Sequence, residues 1–128
     1  MIVNLPISLG ELIDKISILK IKRIYIQSVK KKKLINNELT ILKKTLKNVL
    51  GENKDIKKYL NKLIIINKKL WKIEDSIRAC ERKKKFDQEF IKLARSVYFV
   101  NDERSKIKFE INKKYCSQIV EVKSYEKY

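Results

Sequence analysis

Charged residues interrupt three apolar seams of this sequence, which are stripes of apolar residues at helical spacing. Charges in such a stripe form either ion pairs or a site for an ionic ligand. On a helical net with about 100° per residue, Arg23 falls on the stripe of Leu12, Ile16 and Leu19. Polar and charged residues of both signs fall in the seams of two later segments: Glu74, Glu81, Asn101, Arg104 and Lys108. A buried charge without a partner costs several kcal/mol, so each of these needs a partner or a ligand.

Two interpretations of these seam charges stay open. In the first, Arg23, Arg104 and Lys108 pair with Glu74 and Glu81 in a closed network that fixes the helix register. In the second, a polar pocket between helices keeps surplus cations for a carboxylate or a phosphate. The candidate ligand-binding residues of such a pocket are Arg23, Arg78, Arg95, Tyr98, Asn101, Arg104 and Lys108.

The net charge of +17 suggests an anionic partner, but the composition offers a simpler source. Lysine is the default cation here, since only five of the 32 basic residues are arginines. Most of the charge is therefore expected on solvated helix faces, and the arginines are expected where a planar, forked donor is needed. With Trp71 the single tryptophan, a stacking platform for bases is missing, so a nucleic-acid partner ranks below a protein partner.

Several functional classes are excluded or disfavoured by the residues present. The chain has no histidine, which excludes histidine-based catalysis and histidine metal ligation. Cys80 and Cys116 lack the spacing of a metal site, and we expect both to be reduced thiols. Glu74, Asp75 and Glu81 have the ligand type of a hard metal site, but the many cations nearby disfavour one, so we predict no metal. No glycine-rich phosphate loop or nucleophile motif occurs, and we predict no cofactor. The sequence also lacks a signal peptide and an apolar run of about 20 residues, which favours a cytoplasmic protein.

The elements that must position these residues are helices. Ser8 and Glu11 form a capping-box pattern that starts a helix at Leu9, and Gly51 ends the apolar pattern that follows. We predict a single all-α domain, an antiparallel bundle of three long helices at about 9–50, 54–84 and 87–115, with a short extended tail at 116–128. The first helix could instead be a hairpin broken near Lys31, but no proline or glycine intervenes, which favours continuity. A second subunit would complete the bundle, so a homodimer is expected.

Four runs of the sequence form a recognisable pattern: ISLGELIDKISILKIK at 7–22, LWKIEDSIRACE at 70–81, FDQEFIKLARSVYFVNDERSKIKFEIN at 86–112 and EVKSY at 121–125. In these runs the chain resembles a small family of uncharacterised bacterial and phage proteins over nearly its whole length. The resemblance implies no activity. It implies that these polar residues belong to the family pattern: Glu11, Asp14, Lys15, Lys22, Glu74, Asp75, Arg78, Arg95, Tyr98, Asn101, Asp102 and Arg104.

Two shorter runs, LIDKISIL at 12–19 and IEDS at 73–76, are similar to parts of the all-helical chorismate mutases. Those enzymes are helical dimers that hold a dicarboxylate between cations and stabilise the breaking ether bond electrostatically. Ser76 matches that pattern, whereas Ile13, Lys30 and Cys80 stand where those enzymes have two arginines and a glutamine. The resemblance therefore implies either a site rebuilt from Arg23, Arg78, Arg95 and Arg104, or a likeness between two amphipathic helices.

These observations lead to two hypotheses for the function. The first is a helical bundle with a cationic site between helices for a small metabolite that bears a carboxylate or phosphate, with a chorismate-mutase-like isomerase as its catalytic form. The second is a non-catalytic helical module that binds a protein or, at lower rank, a nucleic acid. The residues expected to support the site as network partners are Glu11, Asp14, Lys15, Lys22, Glu74, Asp75, Ser76, Glu81 and Asp102.

Overall fold

A computed structural model describes all 128 residues and contains four α-helices and no strand. The helices are α1 (Leu9–Tyr25), α2 (Val29–Leu50), α3 (Lys54–Lys83) and α4 (Gln88–Lys114). The all-α class is confirmed, and the last two helices lie within one residue of their predicted bounds. The prediction of three long helices is wrong, because the segment 9–50 forms two helices rather than one.

The break between α1 and α2 is made without proline or glycine. Ile26 follows α1 with an extended backbone, at φ −84° and ψ 123°, and Ser28 caps α2 by accepting a hydrogen bond from the backbone N–H of Lys31. The turn lets the apolar stripes of α1 and α2 face each other, where Ile16 and Ile35 belong to one buried cluster. A continuous helix would leave both stripes in water, so burial outweighs the local preference for continuity.

Helix α1 is the centre of the fold. It packs against each of the other three helices, while α3 packs in addition against α4. One apolar cluster lies between α1 and α2, around Leu12 and Leu39, and a second joins α1, α3 and α4 around Ile13 and Leu63. Because α1 faces neighbours on several sides, polar residues on it become buried as well as apolar ones. Its buried residues are Gly10, Leu12, Ile13, Asp14, Ile16, Ser17, Leu19 and Ile21.

The hairpin of α3 and α4 is longer than the helix that covers it. The 17 residues of α1 span about 25 Å and the 30 residues of α3 about 45 Å. Ile73 is the last buried residue of α3 and Val100 the first of α4, so the hairpin continues past the end of α1. Seam positions beyond that point have no third helix to bury them. None of the four helices combines the length and the apolar character that crossing a membrane requires.

The segments at both ends of the chain lack regular secondary structure. Residues 1–7 precede α1 without regular structure, and residues 118–128 run back along α4. The tail contacts α4 through Tyr128, whose hydroxyl donates to Asp102 and whose ring meets the edges of Tyr98 and Phe99.

Gly10 allows the start of α1 to approach α4. Its backbone N–H donates to Oδ1 of Asn112 at 2.7 Å, and a Cβ atom added to Gly10 would lie 2.6 Å from the backbone oxygen of Lys108. That oxygen belongs to the backbone of α4 and cannot rotate away. The two helices can therefore be this close only if residue 10 has no side chain.

We predict that Gly10→Ala destabilises the protein by about 1–3 kcal/mol, because the helices must separate to admit the methyl group. This holds although alanine is the better helix former by about 1 kcal/mol. Urea denaturation measures the free energy of unfolding, with Asn37→Ala on the exposed side of α2 as the control. A Gly10→Ala protein as stable as the wild type would show that the close approach is not required.

Candidate functional site

The most heavily bonded polar group of the fold is the carboxylate of Asp14, which is fully buried in α1. The guanidinium of Arg104 donates to it from Nε, at 3.1 and 3.2 Å from the two oxygens, and also from Nη2. Nδ2 of Asn67 donates to Oδ1 of Asp14 at 2.8 Å and to Oγ of Ser17 at 2.7 Å. The Asp14 carboxylate thus connects α1 with both α3 and α4.

Lys108 extends this cluster along α4. Its ammonium donates to Oε2 of Glu11 at 2.7 Å and lies 3.3 Å from the carboxylate of Glu121 and 4.0 Å from that of Asp14. The side chain of Lys108 is only 10% exposed. Glu121 also pairs with Lys123 at 3.1 Å, so the tail supplies one carboxylate to a cluster otherwise built from α1 and α4.

The cluster shifts the pKa values of both its cations upward. For Arg104 the hydrogen bonds to Asp14 raise the pKa, and they outweigh the opposite effect of burial. For Lys108 burial lowers the pKa, but the hydrogen bond to Glu11 and the charges of Asp14, Glu11 and Glu121 together raise it above the usual 10.5. Both side chains are therefore held in their charged forms.

The two cations of the cluster face three carboxylates, and these are not the partners that the seams predicted. Arg104 and Lys108 pair with Asp14, Glu11 and Glu121 rather than with Glu74 and Glu81. Glu74 pairs with Arg78 at 3.9 Å, and Glu81 pairs with Lys84 at 2.8 Å, both on the exposed part of α3. For Glu81 the physical reason is the length of the hairpin, since α1 ends before that position of α3. Glu74 lies at the border of α1, where its side chain is 50% exposed.

A cleft adjoins the cluster where α1, α3 and α4 meet, and we call it the three-helix cleft. Its volume is about 450 Å³, within the range of about 300–1,000 Å³ that is typical of small-molecule sites. Its apolar lining is Ile18, Ile21, Leu70, Trp71 and Val97, and its polar lining is Asn67, Glu74, Asp75, Arg78, Asn101 and Arg104.

A second cleft, of about 590 Å³, lies between α4 and the tail, and we call it the tail cleft. Tyr98, Tyr125 and Tyr128 line it together with the charged groups of the cluster. Arg104 lines both clefts, because its side chain lies between them. Nowhere in the chain do three cysteine, aspartate or glutamate side chains come together as a group that could hold a metal ion.

The structure brings together most of the residues singled out from the sequence. Around the cluster and the two clefts lie Glu11, Asp14, Glu74, Asp75, Arg78, Tyr98, Asn101, Asp102, Arg104 and Lys108. The remaining candidates lie outside this region: Lys15, Lys22, Arg23, Ser76, Glu81 and Arg95.

Arg23 is the clearest departure from the seam projection. It is exposed in the last turn of α1 and contacts no acidic side chain, although the projection placed it on the buried stripe. The stripe stops being buried because α1 ends at Tyr25 and the chain turns away. In the last turn a cation is favourable beside the negative end of the helix dipole, and that accounts for a basic residue there.

Three residues of the cluster were not found from the sequence. Asn67 had a signal, since it lies four residues after Leu63 and three before Leu70, both seam positions of α3. Ser17 is three residues from Asp14 on α1, and its hydroxyl donates to the backbone oxygen of that residue at 2.7 Å. Glu121 had no signal, because nothing in the tail pattern indicates which helix the tail follows.

We predict that Asp14→Asn and Arg104→Gln each cost about 3 kcal/mol of folding free energy, since each leaves a desolvated partner behind. The double variant should lose less than the sum of the two, by at least about 1 kcal/mol. Chemical denaturation of the four proteins gives this coupling, with Arg95→Gln on exposed α4 as the control. Strictly additive losses would mean that the two side chains do not stabilise each other.

The raised pKa of Lys108 predicts a loss of stability at alkaline pH. A cation whose pKa is higher in the folded state stabilises fully below its unfolded value, and this contribution disappears as the pH rises through the folded value. The stability difference between wild type and Lys108→Gln should therefore be constant from pH 7 to about 10 and shrink above that. Urea titrations across this range measure it, and a difference that persists through the most alkaline samples would contradict the assignment.

Comparison with known proteins places the chain in one family. Residues 3–128 match the model of DUF6165, a family of unknown function. Neither the curated proteins nor the solved structures include a significant match. Because the match covers nearly the whole chain, with α1 to α4 and the cluster within it, the chain belongs to the DUF6165 family of unknown function.

Proposed function

We propose that the protein is a small-molecule binding module and that the three-helix cleft is its binding site. The ligand carries a carboxylate or a phosphate, which Arg104 receives at the inner end of the cleft. The proposal rests on the guanidinium of Arg104, which lies between the buried cluster and the open cleft. One side of it is hydrogen-bonded to Asp14, and the other side keeps free donors.

The Arg104 side chain is held in one orientation, with donors to spare. Asp14 accepts from Nε and Nη2, whereas Nη1 has only a 3.4 Å contact with Oδ1 of Asn101. Nη1 and the second hydrogen of Nη2 are therefore free to donate. Together they form the planar fork that matches the two oxygens of a carboxylate or phosphate. Because the side chain is already ordered, binding costs little further conformational entropy.

The charges of the cleft favour a ligand with a positive group as well. Glu74 and Asp75 also line the cleft, and the one ion pair that either of them makes is that of Glu74 with Arg78, at 3.9 Å. Glu74 lies seven residues beyond Asn67 on α3, about 10 Å along the helix. A ligand with a carboxylate or phosphate at one end and an amine at the other would satisfy both ends. The proposed site, with both positive and negative groups, differs from the purely cationic site that the seam charges predicted.

The middle of the cleft offers apolar surface for the part of the ligand between its charges. Trp71 stacks on Tyr25, with ring centroids 5.4 Å apart and planes 15° from parallel, which holds the indole in place. Ile18, Ile21 and Val97 add apolar contacts from α1 and α4. Apolar lining with a few oriented polar groups is the general form of small-molecule sites.

Binding, rather than isomerisation, is the function we propose. Electrostatic catalysis on a dianion needs cations that stay available to the transition state. Here Arg104 and Lys108 are matched by carboxylates, Arg23 and Arg95 lie outside the cleft, and Ser76, the one position shared with the mutase pattern, is exposed and outside it too. The mutase-like hypothesis therefore has no set of free cations to act with.

A matched set of probes tests the proposed ligand class. In a thermal shift assay, ω-aminohexanoate should raise the Tm more than hexanoate or hexylamine, since only the first engages both ends of the cleft. Replacing Glu74 by Gln and Asp75 by Asn together should remove the advantage over hexanoate, while Glu81→Gln, outside the cleft, should keep it. Phosphoethanolamine extends the series to phosphate. If none of these molecules shifts the Tm, the cleft is not a site for such ligands.

A further inference from the structure

The chain exposes more surface than a compact monomer of its size. Its accessible surface is 9,722 Å² for a mass of 15.3 kDa. Folded monomers of that mass expose about 7,100 Å², so the excess is about 2,600 Å². A standard protein interface takes about 800 Å² from each partner, and obligate homodimers take more. The excess is large enough for one extensive interface.

Exposed apolar side chains occur in two segments without regular structure, the N-terminal arm (residues 1–6) and the tail segment (residues 118–122). In the arm, Ile2, Val3 and Leu5 are 67–72% exposed, and in the tail segment Val122 is 86% exposed. Both segments begin at the same end of the bundle, where the backbone N–H of Leu9 donates to Oγ of Ser117 at 3.4 Å.

The backbone of these two segments is largely unpaired, although the carbonyl of Ile119 accepts a hydrogen bond from Oγ of Ser117 at 2.8 Å. No backbone-to-backbone hydrogen bond involves residues 1–7 or 118–128. The segments read IVNL and QIVEV, which are rich in the β-branched residues that favour extended pairing. Extended, apolar segments with open N–H and C=O groups are templates for pairing with another chain.

Charge points to a second copy of this chain as the partner. Two copies of net charge +17 repel each other over most of their surface. None of the 32 lysines and arginines lies within residues 1–14 or 115–122, where the only charged side chains are Glu11, Asp14 and Glu121. The arm and the tail segment of two copies can therefore meet without bringing cations of these two segments together, and Lys114 at the same end is paired with Asp55.

We propose that the protein forms a homodimer in which the N-terminal arm of one copy lies beside the tail segment of the other. A twofold axis at this end of the bundle places each arm opposite the partner's tail segment, which gives two equivalent contacts. Paired in this way, the arm and the tail segment satisfy their backbone groups and bury their exposed Ile and Val side chains. The three-helix cleft, which neither segment lines, keeps its opening.

Light scattering coupled to size exclusion tests the dimer. The full chain should elute with twice the 15.3 kDa of one copy, and it should do so in high salt as well, since apolar contact rather than charge holds the interface. A monomer at every concentration overturns the proposal. A larger oligomer, or a dimer that dissociates in high salt, also overturns the proposal.

Two matched variants test whether the arm makes the contact. Val3→Asp with Leu5→Asp should give a folded monomer with unchanged helical circular dichroism, because those side chains touch nothing that the fold needs. Val29→Asp with Leu34→Asp, at two equally exposed apolar positions of α2, should remain dimeric. A dimer that survives the arm substitutions shows that the interface lies elsewhere.

Cross-linking tests the pairing itself. In a background with Cys80→Ser and Cys116→Ser, a tagged Val3→Cys chain mixed with an untagged Val122→Cys chain should oxidise to a mixed disulfide dimer. The double variant, with both cysteines in one chain, should form disulfides between chains. Disulfides within single chains, or between two Val3→Cys copies only, overturn the arrangement.

Discussion

The carboxylate of Asp14 is the group on which the arrangement of the helices depends. It is fully buried at the centre of α1, so it must find its hydrogen bonds within the protein. Arg104 from α4 and Asn67 from α3 supply them. Because these bonds have directions, they fix the rotation of α1 and its height against both neighbours, which apolar packing alone leaves looser. Gly10, one turn earlier, allows the close contact of α1 with α4 that this register requires.

The helices themselves could be predicted from the sequence because caps and apolar spacing are local signals. Ser8 is the cap that the sequence predicts for α1, and in the structure the other three helices are capped by Ser28, Asn53 and Asp87. The turn at Ile26–Ser28 could not be predicted in this way, since its stabilisation comes from packing α2 onto α1. Local propensity favoured continuity there, and tertiary burial decided otherwise.

The site was predictable in its residue types but not in its pairings. The scarcity of arginine pointed to Arg104, which does use its forked donors on a buried carboxylate. The same argument failed for Arg23, because a helical net shows which residues share a stripe and not how far a neighbouring helix covers it. The contribution of Glu121 depends on the path of the tail, which no local pattern encodes.

The distribution of charge connects the two proposals. The cations at the centre are neutralised within the cluster, so they stabilise the fold and orient Arg104 rather than attract anions at long range. Most lysines lie on solvated helix faces, where they keep copies apart. The N-terminal arm and the tail segment themselves contain none, which favours the proposed self-association through these two segments. A strongly basic composition is therefore compatible with a neutral site and an apolar interface.

The central claim is that Asp14 holds the Arg104 guanidinium in one orientation at the edge of the three-helix cleft. The most direct measurement is ¹⁵N relaxation of the Arg104 Nε–Hε group in the protein without ligand. The account predicts an order parameter close to that of rigid backbone, about 0.85, and a marked fall in Asp14→Asn. An order parameter below about 0.6 in the wild type would contradict it, because a freely moving guanidinium cannot organise either the cluster or the cleft.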